Sequence, residues 1–187
     1  GNGKLYVSVG SSCNACVERS EEETRATVVE MNPDGSGQRV FARGLRNAVG
    51  LRWANGALWA TNMGADHLGD NKPEDTFYRL ADGANCGWPF CYQYQGKVYS
   101  DPMFDTSKLD IDPTSVLLAV AGFPAHSSPL GFDWFGADDH PAMQGVFLVA
   151  LHGASKLSIG HGYRVVRVTP AGTIDDFITG FLQGGTT

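Results

Sequence analysis

Residues 39–63 read RVFARGLRNAVGLRWANGALWATNM, a strand, a polar knuckle and two further strands. Arg39 to Ala42 is strand-like and runs into a turn at Gly44. Arg46-Asn47 then sits between two apolar stretches. A second strand is expected from Gly50 to Trp53 and a third from Ala57 to Asn62, joined through Asn55-Gly56. An Asn-Gly pair accepts the positive φ angles of a two-residue hairpin, which gives this turn a mechanism. Packing alone does not account for the knuckle. An Arg and an Asn where one strand hands over to the next offer a fork of donors and an amide.

The arrangement recurs. Residues 117–135 read LLAVAGFPAHSSPLGFDWF, with His126-Ser127-Ser128 as the knuckle, and DDFITGF near the end of the chain starts it a third time. Upstream, TVVEMNPDG (Thr27 to Gly35) and RVVRVTPAG (Arg164 to Gly172) are each a strand ending in a polar-Pro-x-Gly turn. Further strands are expected at 4–10, 26–31, 38–42, 75–80, 115–121, 129–135, 145–151, 163–169 and 175–179. Repeats made of strands alone point to an array or a propeller. The chain divides into three four-stranded units at about 1–43, 44–121 and 122–181, with an irregular insertion at 90–114. The first unit lacks its innermost strand. Three units cannot close a ring, so closure needs a longer chain or a second copy.

Composition agrees with many tight turns: glycine is 24 of 187 residues, against a usual roughly 7%. The net charge is −6, and a folded acidic domain poor in Lys and Arg is a weak candidate for nucleic acid binding. No stretch is long and apolar enough to cross a membrane as a helix. The cysteines form two local pairs, Cys13-x-x-Cys16 and Cys86-x(4)-Cys91. A four-thiolate zinc site, a redox-active pair and free thiols are open readings. Two short-loop disulfides in an exported protein is the preferred one.

Two loops carry concentrated polar chemistry. The acids Glu18 and Glu21 to Glu23 read as a solvated excursion. The loop 63–73 is long for a hairpin, and such loops on a strand scaffold are where function sits. Asp66, Asp70 and Asp75 suggest oxygen ligands for a cation, or solvated carboxylates.

The segments LYVSVGSSCNAC, FARGLRNAVGLRW, LWATNMGADHLGD, ANCGWPFCY, AHSSPLGFDWF, VFLVALHG and YRVVRV together resemble the quinoprotein sugar dehydrogenases, in the sorbosone and aldose dehydrogenase branch. The likeness runs in order across nearly the whole chain, which looks like an internal fragment. It implies a six-bladed propeller with pyrroloquinoline quinone at one end of its channel and calcium beside it. It also implies export to the periplasm or beyond, and oxidation of an aldose or sorbosone-like hydroxy-aldehyde with electrons passed to an external acceptor.

Carried over position by position, the resemblance makes Arg46 and Asn47 the quinone-binding pair, as a carboxylated ligand needs a planar donor fork. The next polar quinone contact falls on Val49, which has no such donor. Gly64 and Ala65 match the pair whose backbone carbonyls hold calcium, with Asp66 a further candidate. Trp88-Pro89 matches a structural turn. The quinone-facing lysine falls near Gly153 or Ala154, neither of them basic, and Lys156 lies close but out of register. The family's histidine base falls before Gly1 and its remaining basic pocket residues after Thr187, so this chain by itself is expected to be inactive. His126 is a pocket candidate or a strand-end cap. His67 and His152 lie on loops that can share its face, whereas His140 and His161 read as surface residues. Two other readings stand beside the enzyme: a non-catalytic propeller used for binding or scaffolding, and a hydrolase-type calcium propeller. Exposed terminal units also make self-association reasonable.

Overall fold

A computed structural model describes residues 2–105 and 112–182. Its elements are short strands and single 3-10 turns. The first sheet contains β1 (Leu5–Val9), β2 (Thr27–Met31) and β3 (Arg39–Arg43). The second sheet is four-stranded, its strands lying in the reverse of chain order. It is built from β4 (Leu51–Ala54), β5 (Ala57–Asn62), β6 (Asp75–Leu80) and β10 (Ala121–Phe123). The third is β11 (Pro129–Phe135), β12 (Val146–Leu151), β13 (Arg164–Val168) and β14 (Ile174–Ile178), in chain order. The fold is all-β, and its four-stranded sheets resemble propeller blades. The described residues form no closed ring.

Strand β5 shows how the sheets stack. All six of its residues are buried. Successive side chains of a strand point to opposite faces, so Leu58 and Ala60 enter the core shared with the first sheet, while Trp59 enters the core shared with the third. In that second core Trp59 lies 4.5 Å from Phe147 and 5.3 Å from Phe77, ring centre to ring centre. The other core is filled by Val28, Phe41, Leu45, Tyr78 and Leu80. The Asn55-Gly56 turn has φ of 45° and 72°, as the hairpin requires.

Three departures from the sequence expectation have local causes. The fourth strand of the first sheet is β7 (Ala84–Asn85), which pairs parallel with the outer side of β3. The supposedly irregular insertion holds a hairpin, β8 (Cys91–Tyr94) and β9 (Lys97–Ser100). Its turn, Gln95-Gly96, has φ of 51° and 70° and so matches Asn55-Gly56, with a Gln that gives no strong turn signal. The expected strand at 115–121 is instead a 3-10 turn at Pro113–Ser115, an irregular stretch, and β10. Here side-chain and turn partners replace the ladder: Gln93 bonds the Leu117 carbonyl and the Ala119 N–H, and Leu117 N–H donates to the Asn85 carbonyl.

Gly50 marks where the inner strands of the second and third sheets meet. Its N–H donates to Thr61 Oγ1 at 2.8 Å, and Thr61 Oγ1 donates to the Leu130 carbonyl at 2.8 Å. A Cβ on Gly50 would lie 2.3 Å from that carbonyl oxygen, so only glycine lets the two backbones approach.

Candidate functional site

The site lies on one rim of the sheets, where β3 hands over to β4, β5 to β6, β10 to β11 and β12 to β13. In the first junction Leu45 and Ala48 are buried, which leaves Arg46 and Asn47 between them as the partly exposed residues. In the third, Ala125 and Ser127 are buried and flank His126. His126 and Ser128 hold φ of 62° and 50°, left-handed conformations that cost a non-glycine residue on the order of 1 kcal/mol each. Hydrogen bonds offset that strain: Ser127 Oγ donates to the Pro124 carbonyl at 2.7 Å. The backbone N–H groups of His152 and Gly153 donate to the carbonyls of Ser128 and Ser127 at 3.0 and 2.8 Å.

The repeat-equivalent residues Arg46 and His126 converge on one carboxylate. Arg46 Nη2 lies 3.1 Å from Asp66 Oδ2, and His126 Nδ1 lies 3.3 Å from Asp66 Oδ1. Both Arg46 and His126 are mostly enclosed, with 18% and 15% of their side chains exposed, whereas the Asp66 side chain is 62% exposed. The other His126 ring nitrogen sits 2.9 Å from the Gly69 carbonyl. Beside this cluster opens a cleft of about 360 Å³, lined by Met63, Asp66, His126, Ser128, His152 and Gly153 among others.

Asp75, read from sequence with the loop acids, is buried and holds the rim together. Its Oδ1 accepts the Gly64 N–H and its Oδ2 the Ser128 N–H, both at 2.7 Å. Burial pushes its carboxyl up to about 6, against the lowering effect of the two N–H donors and of nearby His126. One signal was present in the sequence: Asp75 opens the strand DTFYRL, so it belongs to a sheet rather than to the loop.

Asn47 donates from Nδ2 to Met63 Sδ at 3.4 Å, a weak acceptor, and its backbone bridges to Met63. Gly64 and Ala65 lie between the end of β5 and the 3-10 turn Asp66–Leu68, with Gly64 fixed through its N–H on Asp75. Val49 is 45% exposed. The Lys156 ammonium is 3.2 Å from Asp70 Oδ2 in an exposed pair, so the structure does not bring it to Arg46 or His126. His152 lines the cleft, but His67 turns away to the buried Asp101, 2.9 Å from its Oδ2. His67 Nδ1 is a buried atom without a hydrogen-bond partner among the described residues. His161 is partly buried, with Nδ1 2.8 Å from the Ala125 carbonyl, so it supports the knuckle and is not a surface residue.

The cysteine pairs differ. Cys13 and Cys16 form a disulfide. Cys86 and Cys91 do not: both are buried free thiols, which corrects the expectation of two short-loop disulfides. Cys86 is taken into the core with Val28, Leu45 and Tyr78, whereas Cys91 begins the β8–β9 hairpin. Burial raises both thiols above their ordinary range. Sequence reading also missed Asn14, inside the disulfide loop, which touches both Arg46 and Asp66.

The geometry is that of a polar rim on a strand scaffold, with Arg46 and His126 gathered on the Asp66 carboxylate. No helix among the described residues is long and apolar enough to cross a membrane. Residues 1–165 match the family model for glucose/sorbosone dehydrogenase. A comparison with curated proteins returns no match. The fold is similar to the holo form of the pyranose dehydrogenase PQQ domain from Coprinopsis cinerea, with 21% identity, a TM-score of 0.74, and 95% of this chain and 53% of that chain covered. It is also similar to a calcium structure of the Trichoderma reesei carbohydrate-active enzyme family AA12, with 17% identity, a TM-score of 0.75, and 95% and 56% covered. A third likeness is to the PQQ-bound aldose sugar dehydrogenase from Streptomyces coelicolor, with 21% identity, a TM-score of 0.65, and 95% and 46% covered. The chain thus spans about half the length of these structures. The family match covers most of the chain, and the chain belongs to the glucose/sorbosone dehydrogenase family.

Proposed function

We propose that this chain supplies a cofactor-facing part of a six-bladed sugar dehydrogenase. The parent reaction is oxidation of an aldose or sorbosone-like hydroxy-aldehyde with pyrroloquinoline quinone and calcium, the electrons passing to an external acceptor. The observation that carries this reading is the convergence of Arg46 and His126, at 3.1 and 3.3 Å, on one carboxylate beside an open cleft. Asp66 there stands in for an anion. The donor set already accommodates a carboxylate, the group a carboxylated quinone presents.

Arg46 would hold that group through its planar fork, with Asn47 beside it exchanging a weak sulfur acceptor for a better one. The Gly64 and Ala65 carbonyls would hold calcium, because a hard cation takes oxygen ligands. When bound, the quinone accepts two electrons and calcium acts as a Lewis acid. Asp75 keeps the Gly64 peptide and the Ser128 knuckle in fixed relation, so the two halves of the rim stay aligned. Lys156 contributes at most to the outer rim, given its pairing with Asp70. The Cys13–Cys16 disulfide supports a periplasmic or secreted location.

The test is a quinone titration in the presence of calcium, followed by tryptophan fluorescence, with dye reduction by an aldose in parallel. The chain binds quinone without reducing dye. Arg46→Ala weakens binding by at least about tenfold, as expected for loss of a charge-assisted bond to the ligand. Asp66→Asn strengthens binding by about two- to fivefold, the worth of an exposed competing ion pair. If Arg46→Ala lowers the melting temperature and leaves quinone binding untouched, the rim is a structural junction and the scaffold reading replaces this one.

A further inference from the structure

The loop closed by Cys13 and Cys16 has no part in the chemistry above, yet it bonds the rim at several points. Asn14 lies inside it. The Asn14 carbonyl accepts Arg46 Nε–H at 3.2 Å and the Trp88 indole N–H at 3.1 Å. Its side-chain oxygen accepts the Asp66 backbone N–H at 2.8 Å. Ser11, just before the ring, donates its N–H to the Arg46 carbonyl at 2.8 Å and its hydroxyl to the Cys13 carbonyl at 2.6 Å. One residue therefore gathers three chain segments from the β3–β4 junction, the β5–β6 loop and the turn after β7.

The consequence for Arg46 is geometric. A guanidinium is planar, so anchoring its Nε fixes the plane in which its terminal nitrogens donate. With Nε on Asn14, Nη2 is directed at the Asp66 carboxylate, the position argued above for a ligand anion. A polar loop such as 11–24 would otherwise lose much conformational freedom each time three donors engage it. The cross-link removes part of that freedom in advance.

We infer that Asn14, mounted in the Cys13–Cys16 ring, is a positioning residue that holds the Arg46 guanidinium and the Asp66 peptide in register for an anionic ligand. The inference rests on the reading of Arg46 as the ligand fork.

Two measurements on the full chain test it. The first uses no ligand: hydrogen exchange of the Arg46 Nε–H, the Trp88 indole N–H and the Asp66 amide by NMR. In a Cys13→Ser/Cys16→Ser variant all three exchange at least about tenfold faster. In Asn14→Ala only the Asp66 amide does, and Asn14→Asp, which keeps an acceptor oxygen, restores it. The second is the quinone–calcium titration, in which the double Ser variant binds at least about tenfold more weakly and Asn14→Ala shows a smaller loss. Unchanged exchange in the double variant overturns the inference, as does faster exchange with undiminished quinone binding. If the double variant fails to fold, Asn14→Ala decides by the Asp66 amide and the affinity. A wild-type chain that binds no quinone sinks the reading of the site instead, and the ligand-free exchange still decides whether the ring holds Arg46.

Discussion

Asp75 carries two backbone N–H groups on one buried carboxylate, one from each side of the rim. Asp75→Asn keeps its size but turns an amide N–H toward a backbone N–H, leaving one buried donor unsatisfied. That costs about 1–3 kcal/mol, to be read as a lower denaturation midpoint in urea with an unchanged slope. Asp70, five residues earlier in the same acidic stretch, is 60% exposed and pairs with Lys156, so the two acids cannot be told apart by residue type. The cysteines make a second prediction at this scale. Cys86 and Cys91 are buried thiols held protonated by burial. A thiol reagent should label neither in the native protein within minutes. It should label two per chain after denaturation without reductant, and zero then would mean that Cys86 and Cys91 are bonded after all.

The strand junctions are the elements that build the site, and each is a tight packing solution. Gly50 lets the β4 junction approach β11, with Thr61 bridging the two backbones. Gly50→Ala forces a Cβ against the Leu130 carbonyl and is expected to destabilise by about 1–3 kcal/mol, as overpacking does. Thermal denaturation checks this, and an unchanged midpoint would show that the two sheets slide apart at no cost. Gln93 has the same kind of role for the β8–β9 hairpin. From one buried side chain it bonds Tyr78, Leu117 and Ala119. That is why the segment after residue 115 needs no ladder partner until Val120, and why its apolar run misleads a reading by periodicity.

The whole molecule leaves apolar surface at both ends of its stack of sheets. Leu5 and Val7 on β1 are 46% and 43% exposed, and Ile178 and Phe181 at or beyond β14 are 46% and 59% exposed. Edge sheets with bare apolar faces associate. The 20.0 kDa chain is therefore expected to travel in solution at more than its own mass, measured by light scattering after gel filtration. A monomer stable to concentration would show that these faces tolerate water. A two-copy particle is one way to cover those faces. The other is a longer polypeptide, consistent with relatives about twice as long as this chain.

Much of this was legible in the chain itself. Alternating strands, the Asn55-Gly56 turn and the repeated knuckles specify an all-β fold of four-stranded sheets, because side-chain period and turn φ are local properties. The order of seven short segments carries the family, because it needs no contact to be recognised. Only the tertiary structure decided that Arg46 and His126, 80 positions apart in the sequence, share one carboxylate. It alone separated buried Asp75 from exposed Asp70, closed one cysteine pair and left the other reduced, and placed Asn14 behind Arg46. Each of these depends on which segments meet across the rim, and sequence spacing carries no record of distance between sheets.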